Sequence, residues 1–138
     1  MAEVDNTWAY LLGKKIYSTV SYKAEKILKD DYPNIKITDN GKASSKPKFP
    51  TVYIHELPGQ EIGQTLDGQD INGVLETIQV DVTTNTDPSD ARKVMSVVAD
   101  IFKKMRFKVK PMPELDFGEE VYRSTARFQR VVGANDTL

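Results

Sequence analysis

Apolar residues between Trp8 and Asp31 recur every three to four positions, so that Leu12, Ile16, Val20, Ala24, Ile27 and Leu28 fall on one side of a predicted helix. Thr7 stands where an N-cap belongs, and Pro33 sets the end by driving Tyr32 out of the helical region. Lys26 and Lys29 complement the negative end of the dipole, which Asp30 and Asp31 oppose. A second helical period begins at Asp87-Pro88-Ser89-Asp90 and runs through Val94, Val97, Val98, Ile101, Phe102 and Met105. Asp87 is its expected cap. Pro88 suits the first helical position, where a missing N–H costs nothing.

Two longer stretches switch to a period of two, the mark of a half-covered strand. In 74–84, Val74, Ile78, Val80 and Val82 alternate with Thr77, Gln79, Asp81 and Thr83, and Glu76 interrupts the apolar side. In 121–132, Tyr122, Ala126 and Phe128 alternate with Arg123, Thr125, Arg127 and Gln129. Shorter strands are expected at 49–57, where Thr51, Val52, Tyr53 and Ile54 are β-formers, at 107–109 before Pro111 and Pro113, and around Ile35-Lys36-Ile37. Residues 39–48 and 58–73 read as mobile loops, 114–120 as an acidic turn, and 1–7 and 133–138 as frayed ends. The order of elements predicts one α+β domain, two helices packed on one face of a mainly antiparallel sheet.

Composition narrows the chemistry. A chain of 138 residues can bury a sizeable core. It contains no cysteine, which removes disulfides, thiolate nucleophiles and thiolate metal sites, and a single histidine, His55. The net charge of −1 gives no general attraction to nucleic acid. No apolar run is long enough to span a membrane, and the acidic Met1-Ala2-Glu3-Val4-Asp5 lacks a signal-like apolar region, so an intracellular protein is expected.

Candidate motifs weaken on inspection. Gly59 to Thr65 has three residues between its glycines where a phosphate loop needs four, and Gln64 stands where the lysine belongs. Asp67 to Gly73 resembles a calcium loop, but Gly68 and Gln79 occupy the first and last ligand positions, leaving ordinary turn chemistry. His55 reads as a packing residue. Glu114, Asp116, Glu119 and Glu120 read as solvated charges rather than an acid/base pair, and Asn135-Asp136-Thr137 matches a glycosylation sequon by pattern alone. The basic run Lys103, Lys104, Arg106, Lys108 and Lys110 fits a helix end followed by a lysine-guarded edge, with a phosphate-contacting patch as the minority alternative. No catalytic residue, cofactor or metal is expected, so the chain is read as a non-enzyme whose function lies in its surfaces.

The whole pattern resembles the tail terminator, or tail completion, proteins of long-tailed non-contractile bacteriophages. The resemblance runs from about Trp8 to Val132: a long first helix, a Gly/Pro-rich loop, then Phe49-Pro50-Thr51-Val52-Tyr53-Ile54. Glu76-Thr77-Ile78-Gln79-Val80-Asp81-Val82 follows, then the helix around Ala91-Arg92-Lys93-Val94, and finally Tyr122 to Val132. It implies a virion protein assembled in the host cytoplasm. Six copies would form a ring that caps the tail tube, stops its growth and presents a surface to head–tail connector proteins, with DNA at most passing through the lumen. Such a ring needs two complementary patches per subunit.

Arg123 and Arg127 share a parity on the last strand, as do Gln79 and Asp81 on the earlier one, and with those strands near a neighbouring subunit Arg–carboxylate pairing makes the four the candidate subunit interface. Lys46, Lys48, Gln60, Glu61, Gln64, Asp67 and Asp70 are the candidate docking residues for tube or connector proteins. Two alternatives stay open: a connector, stopper or minor capsid protein of the phage neck, and a small ligand-binding α+β domain unrelated to phage.

Overall fold

The computed structural model describes residues 6–40, 48–63, 66, 68–109, 114–117 and 121–138, with backbone alone for 114–117. The chain adopts the expected α+β architecture, with helices on one face of a mainly antiparallel sheet.

The first helical stretch is two helices, α1 (Thr7–Tyr10) and α2 (Leu12–Leu28), broken at Leu11, where φ is −98° and ψ is 1°. Thr7 is the first helical residue and not the cap. Asn6 holds the cap position, yet its side chain makes no capping bond. Its amide instead donates to the Gln69 carbonyl (2.8 Å) and accepts from the Ile71 N–H (3.0 Å), so a tertiary tie displaces the local one. α2 also ends three residues before Asp31. Ile27, placed on the apolar stripe by its spacing, is exposed, whereas Leu28 beside it turns inward.

The second helix, α3 (Pro88–Lys104), starts as expected, with the Asp87 carboxylate accepting from the Ser89 N–H at 2.8 Å. That bond from the backbone holds the carboxyl below its ordinary range. The helix ends in a Schellman motif: Phe107 N–H bonds the Phe102 carbonyl and Arg106 N–H bonds that of Lys103, both at 3.0 Å. Arg106 takes the left-handed position (φ 67°) that glycine usually fills. No glycine marks this stop in the sequence.

Among the described residues the sheet has seven strands: β1 (Lys36–Thr38), β2 (Thr51–Glu56), β3 (Gln60–Ile62), β4 (Gly73–Thr84), β5 (Lys108–Val109), β6 (Glu114–Phe117) and β7 (Tyr122–Gly133). The spine is β4 against β7, antiparallel and registered from Gly73↔Gly133 to Thr84↔Tyr122. β2 and β3 lie end to end along the outer edge of β4, and β5 and β6 likewise along β7; β1 adds to β2 in parallel. Two expectations need correction here. The 58–73 segment contains β3, and the acidic 114–120 stretch contains β6. Both are too short to carry a readable period and exist because a twelve-residue strand offers them a free edge.

One face of the sheet is covered. Val52 and Ile54 of β2, Val74, Ile78, Val80 and Val82 of β4, and Ala126, Phe128 and Val132 of β7 pack under Ile16, Val20, Val94, Met95, Val98 and Phe102 of the helices. The Phe102 ring stacks on Phe128 at 4.3 Å and meets Phe107 edge-on at 5.1 Å. Residues 134–138, read as part of a frayed end, are tied back: Leu138 packs on the core and the Thr137 carbonyl accepts from Arg106 (2.6 Å) and Arg130 (3.4 Å). Of the expected frayed start 1–7, residues 1–5 lie outside the described residues, whereas Asn6 is tied to residues 69 and 71 and Thr7 is helical.

Candidate functional site

No helix among the described residues packs on the other face of the sheet, and strand pleating sends every second side chain of β2, β4 and β7 onto it. The result is a ladder of cross-strand polar pairs. Gln129 Nε2 donates to Thr77 Oγ1 (3.1 Å), Arg127 Nε to Gln79 Oε1 (3.1 Å), and Thr125 Oγ1 to Asp81 Oδ1 (2.6 Å). Each bond joins residues directly opposite in register. Asp81 is the hub. Its second oxygen accepts from Gln79 Nε2 (3.3 Å) and lies 3.5 Å from His55 Nε2, whose ring stacks on Tyr53 at 4.3 Å.

The four candidate interface residues share the parity expected within each strand. Gln79, Asp81, Arg123 and Arg127 all lie on this face, on two neighbouring strands. Within the subunit, however, the arginine Nε bonds an amide: Arg127 is engaged by Gln79, while Asp81 is met by Thr125, Gln79 and His55. Arg123 is exposed opposite Thr83. His55, expected as a hydrogen-bonded packing residue, packs on Tyr53 beside the polar ladder, since the strand's parity turns Val52 and Ile54 inward and His55 out, but its Nε2 has no hydrogen-bond partner among the described residues.

The candidate docking residues are dispersed. Gln60 and Glu61 are exposed on β3, Lys48 is exposed with its carbonyl accepting from the Thr51 hydroxyl, and Asp70 is half-buried between the two residues that Asn6 clamps. Lys46, Gln64 and Asp67 lie outside the described residues, as do Lys110 of the basic run and Glu119 and Glu120 of the acidic one. No group of three or more potential metal ligands occurs among the described residues.

Two features of the site went unread. Toward the β3 end, the open face loses its polarity: Leu75 stands directly opposite Val131, and Ile62 shares their side of the sheet. Val131 is 51% and Ile62 39% exposed, an apolar patch continuous with the ladder. Its signal was present in the sequence as odd-numbered apolar residues at the strand ends, but no strand was expected at Ile62.

On the covered face, Glu76 is 2% exposed beside Glu56, at a cleft of about 520 Å³ that Asn6, Tyr10, Gln60 and Glu61 also line. Burial first, then the hydrogen bond and charge of Glu56, push the Glu76 carboxyl up to about 9. Directly across the strand pair, Arg130 is nearly buried and donates to the Met105 carbonyl at 3.1 Å.

Neither a protein-family model nor a curated protein matches this chain.

Proposed function

We propose that this protein is a structural component of a phage virion, a tail terminator whose copies close into a ring on the end of the tail tube. The ring stops tube growth and offers the surface on which connector proteins join head to tail. The single observation carrying this is the open face of the sheet, where a pre-bonded polar ladder runs into the apolar patch of Ile62, Leu75 and Val131. An interface needs such a combination. Apolar anchors supply affinity, and oriented polar groups fix register and exclude wrong partners.

A ring joins unlike patches head to tail. Exposed Tyr22, opposite in helical phase to the residues that α2 buries, is the candidate for the second patch. The partners are therefore other copies of this chain, the tube protein and the connector proteins, with DNA at most threading the lumen. Ladder residues are already held by cross-strand bonds, so docking them costs less side-chain entropy than docking free ones.

Mixing the protein with its tube protein and imaging by electron microscopy tests the role. A ring at one end of tubes of defined length is expected. Unbound protein and tubes growing without limit would count against a terminator, and a ring seated only on the portal side would make it a neck protein.

A further inference from the structure

We infer that Glu56 and Glu76 form a proton-sharing clasp that locks the end of β2 and the 57–62 segment against β4, beneath the start of α2. The clasp is closed while Glu76 keeps its proton and loosened when Glu76 ionises. This goes beyond the ring-forming role and does not depend on it.

The geometry begins with parity. Glu56 is the last residue of β2 and pairs with Ile78; Glu76 lies two residues further along β4, on the same covered face and within diagonal reach. Pairing continues past them, since the Leu57 N–H bonds the Thr77 carbonyl at 2.9 Å. Glu56 is exposed and Glu76 buried, and each carboxyl lies close to a glycine. A Cβ on Gly13 of α2 would sit 2.4 Å from Glu56 Cδ, and one on Gly59 would sit 3.0 Å from Glu76 Oε1. Glycine at these two positions is what leaves room for the pair.

Glu76 Oε2 is buried with no donor offered to it. As a carboxylate oxygen it would be an uncompensated charge in the core. Protonation removes that charge, and a hydrogen bond between the Glu76 and Glu56 carboxyls is one that only a protonated carboxyl can donate. No lysine or arginine is among the described residues lining the cleft; Glu61 of β3 and Tyr10 of α1 border it, and Gly13 of α2 faces Glu56. Arg130 of β7 stands opposite Glu76, but its guanidinium is spent on the Met105 and Thr137 carbonyls and lies 3.6 Å from Asp136. Burial of Glu76, and after that the hydrogen bond and charge of Glu56 beside it, disfavour its ionised form.

The sign follows from linkage. The folded state keeps a proton that the unfolded chain releases above about 4.5, so the pair's contribution is complete in acid. It falls as pH rises toward about 9 and is flat beyond. Across that window the folding equilibrium constant loses up to about tenfold per pH unit through this pair.

Urea unfolding of the native chain and of Glu76→Gln between pH 6 and pH 9.5 tests the clasp. The Gln amide donates to Glu56 without titrating, so the native-to-variant ratio of folding constants should fall by roughly tenfold per unit up to pH 9. Parallel profiles would overturn the inference. A ¹³C NMR titration of the native chain gives a readout that survives misfolding of the variant: one glutamate carboxyl should titrate above pH 7, and a set titrating entirely below pH 6 contradicts the proton. Amide exchange at Leu57, compared at one alkaline pH, should be faster in the native chain than in Glu76→Gln; equal rates would remove the mechanical part of the claim.

Discussion

The two faces of the β4–β7 ladder handle polarity in opposite ways. On the open side, Thr77↔Gln129, Gln79↔Arg127 and Asp81↔Thr125 are cross-strand neighbours, and each pair is hydrogen-bonded across the strands. On the covered side, Val74↔Val132, Ile78↔Phe128 and Val80↔Ala126 are apolar, and the one charged pair, Glu76↔Arg130, does not bond across at all. Glu76 turns to a second carboxyl at one side, Arg130 to backbone carbonyls at the other. Burial pushes the arginine's pKa down as it pushes the glutamate's up, with the Arg106 charge adding to the first effect.

The difference has a physical source. Half-wet polar groups can take the nearest partner cheaply, whereas a dry ion pair must recover the desolvation of both charges and fill every remaining lone pair and N–H. Three carbonyl and carboxylate acceptors satisfy Arg130 better than one carboxylate would, and a proton neutralises what is left. The open face is thus free to serve association, and the covered face is committed to holding the fold.

Four substitutions sharpen this contrast, taken from the largest expected effect on stability downward. Phe128→Ala removes the ring stacked on Phe102 and should cost about 3–5 kcal/mol in denaturant unfolding. Arg130→Met keeps the stem but strands the Met105 carbonyl, and should cost about 1–3 kcal/mol. It should also speed amide exchange over 134–138, because the Thr137 carbonyl loses one of its two donors. Asp87→Ala deletes the α3 cap and should lower the melting temperature by less than either of these. Because the cap lowers the Asp87 pKa, its contribution is present at neutral pH and lost as pH falls through the folded value, so the two proteins' melting temperatures should converge in acid. Arg127→Ala, on the open face, should change stability by less than about 0.5 kcal/mol while weakening self-association.

What was legible in the sequence is what periodicity can carry. β4 and β7 repeat every second residue for long enough to declare both their existence and their parity, so the facing of Gln79, Asp81, Arg123 and Arg127 was readable. The start of α3 was equally plain, since Asp87 and Pro88 act locally. What failed depends on partners distant in sequence. Asn6 gives up capping to clamp residues 69–71, β3 and β6 form on edges supplied by β4 and β7, and the α3 stop uses Arg106 where glycine is the recognisable signal. Glu76 was visible only as an interruption of the apolar side. Its partner Glu56 sits twenty residues earlier and meets it through strand register alone.

Whether the open face, anchored at Val131, joins copies of this chain is decided by sedimentation velocity from micromolar to millimolar concentration on the native chain and on Val131→Asp. The native chain should form a discrete closed oligomer, six copies by the resemblance, and the variant should stay a monomer, with unfolding free energies within about 1 kcal/mol of each other. A native chain that stays monomeric throughout, or a Val131→Asp protein that assembles as the native one does, contradicts association through this face.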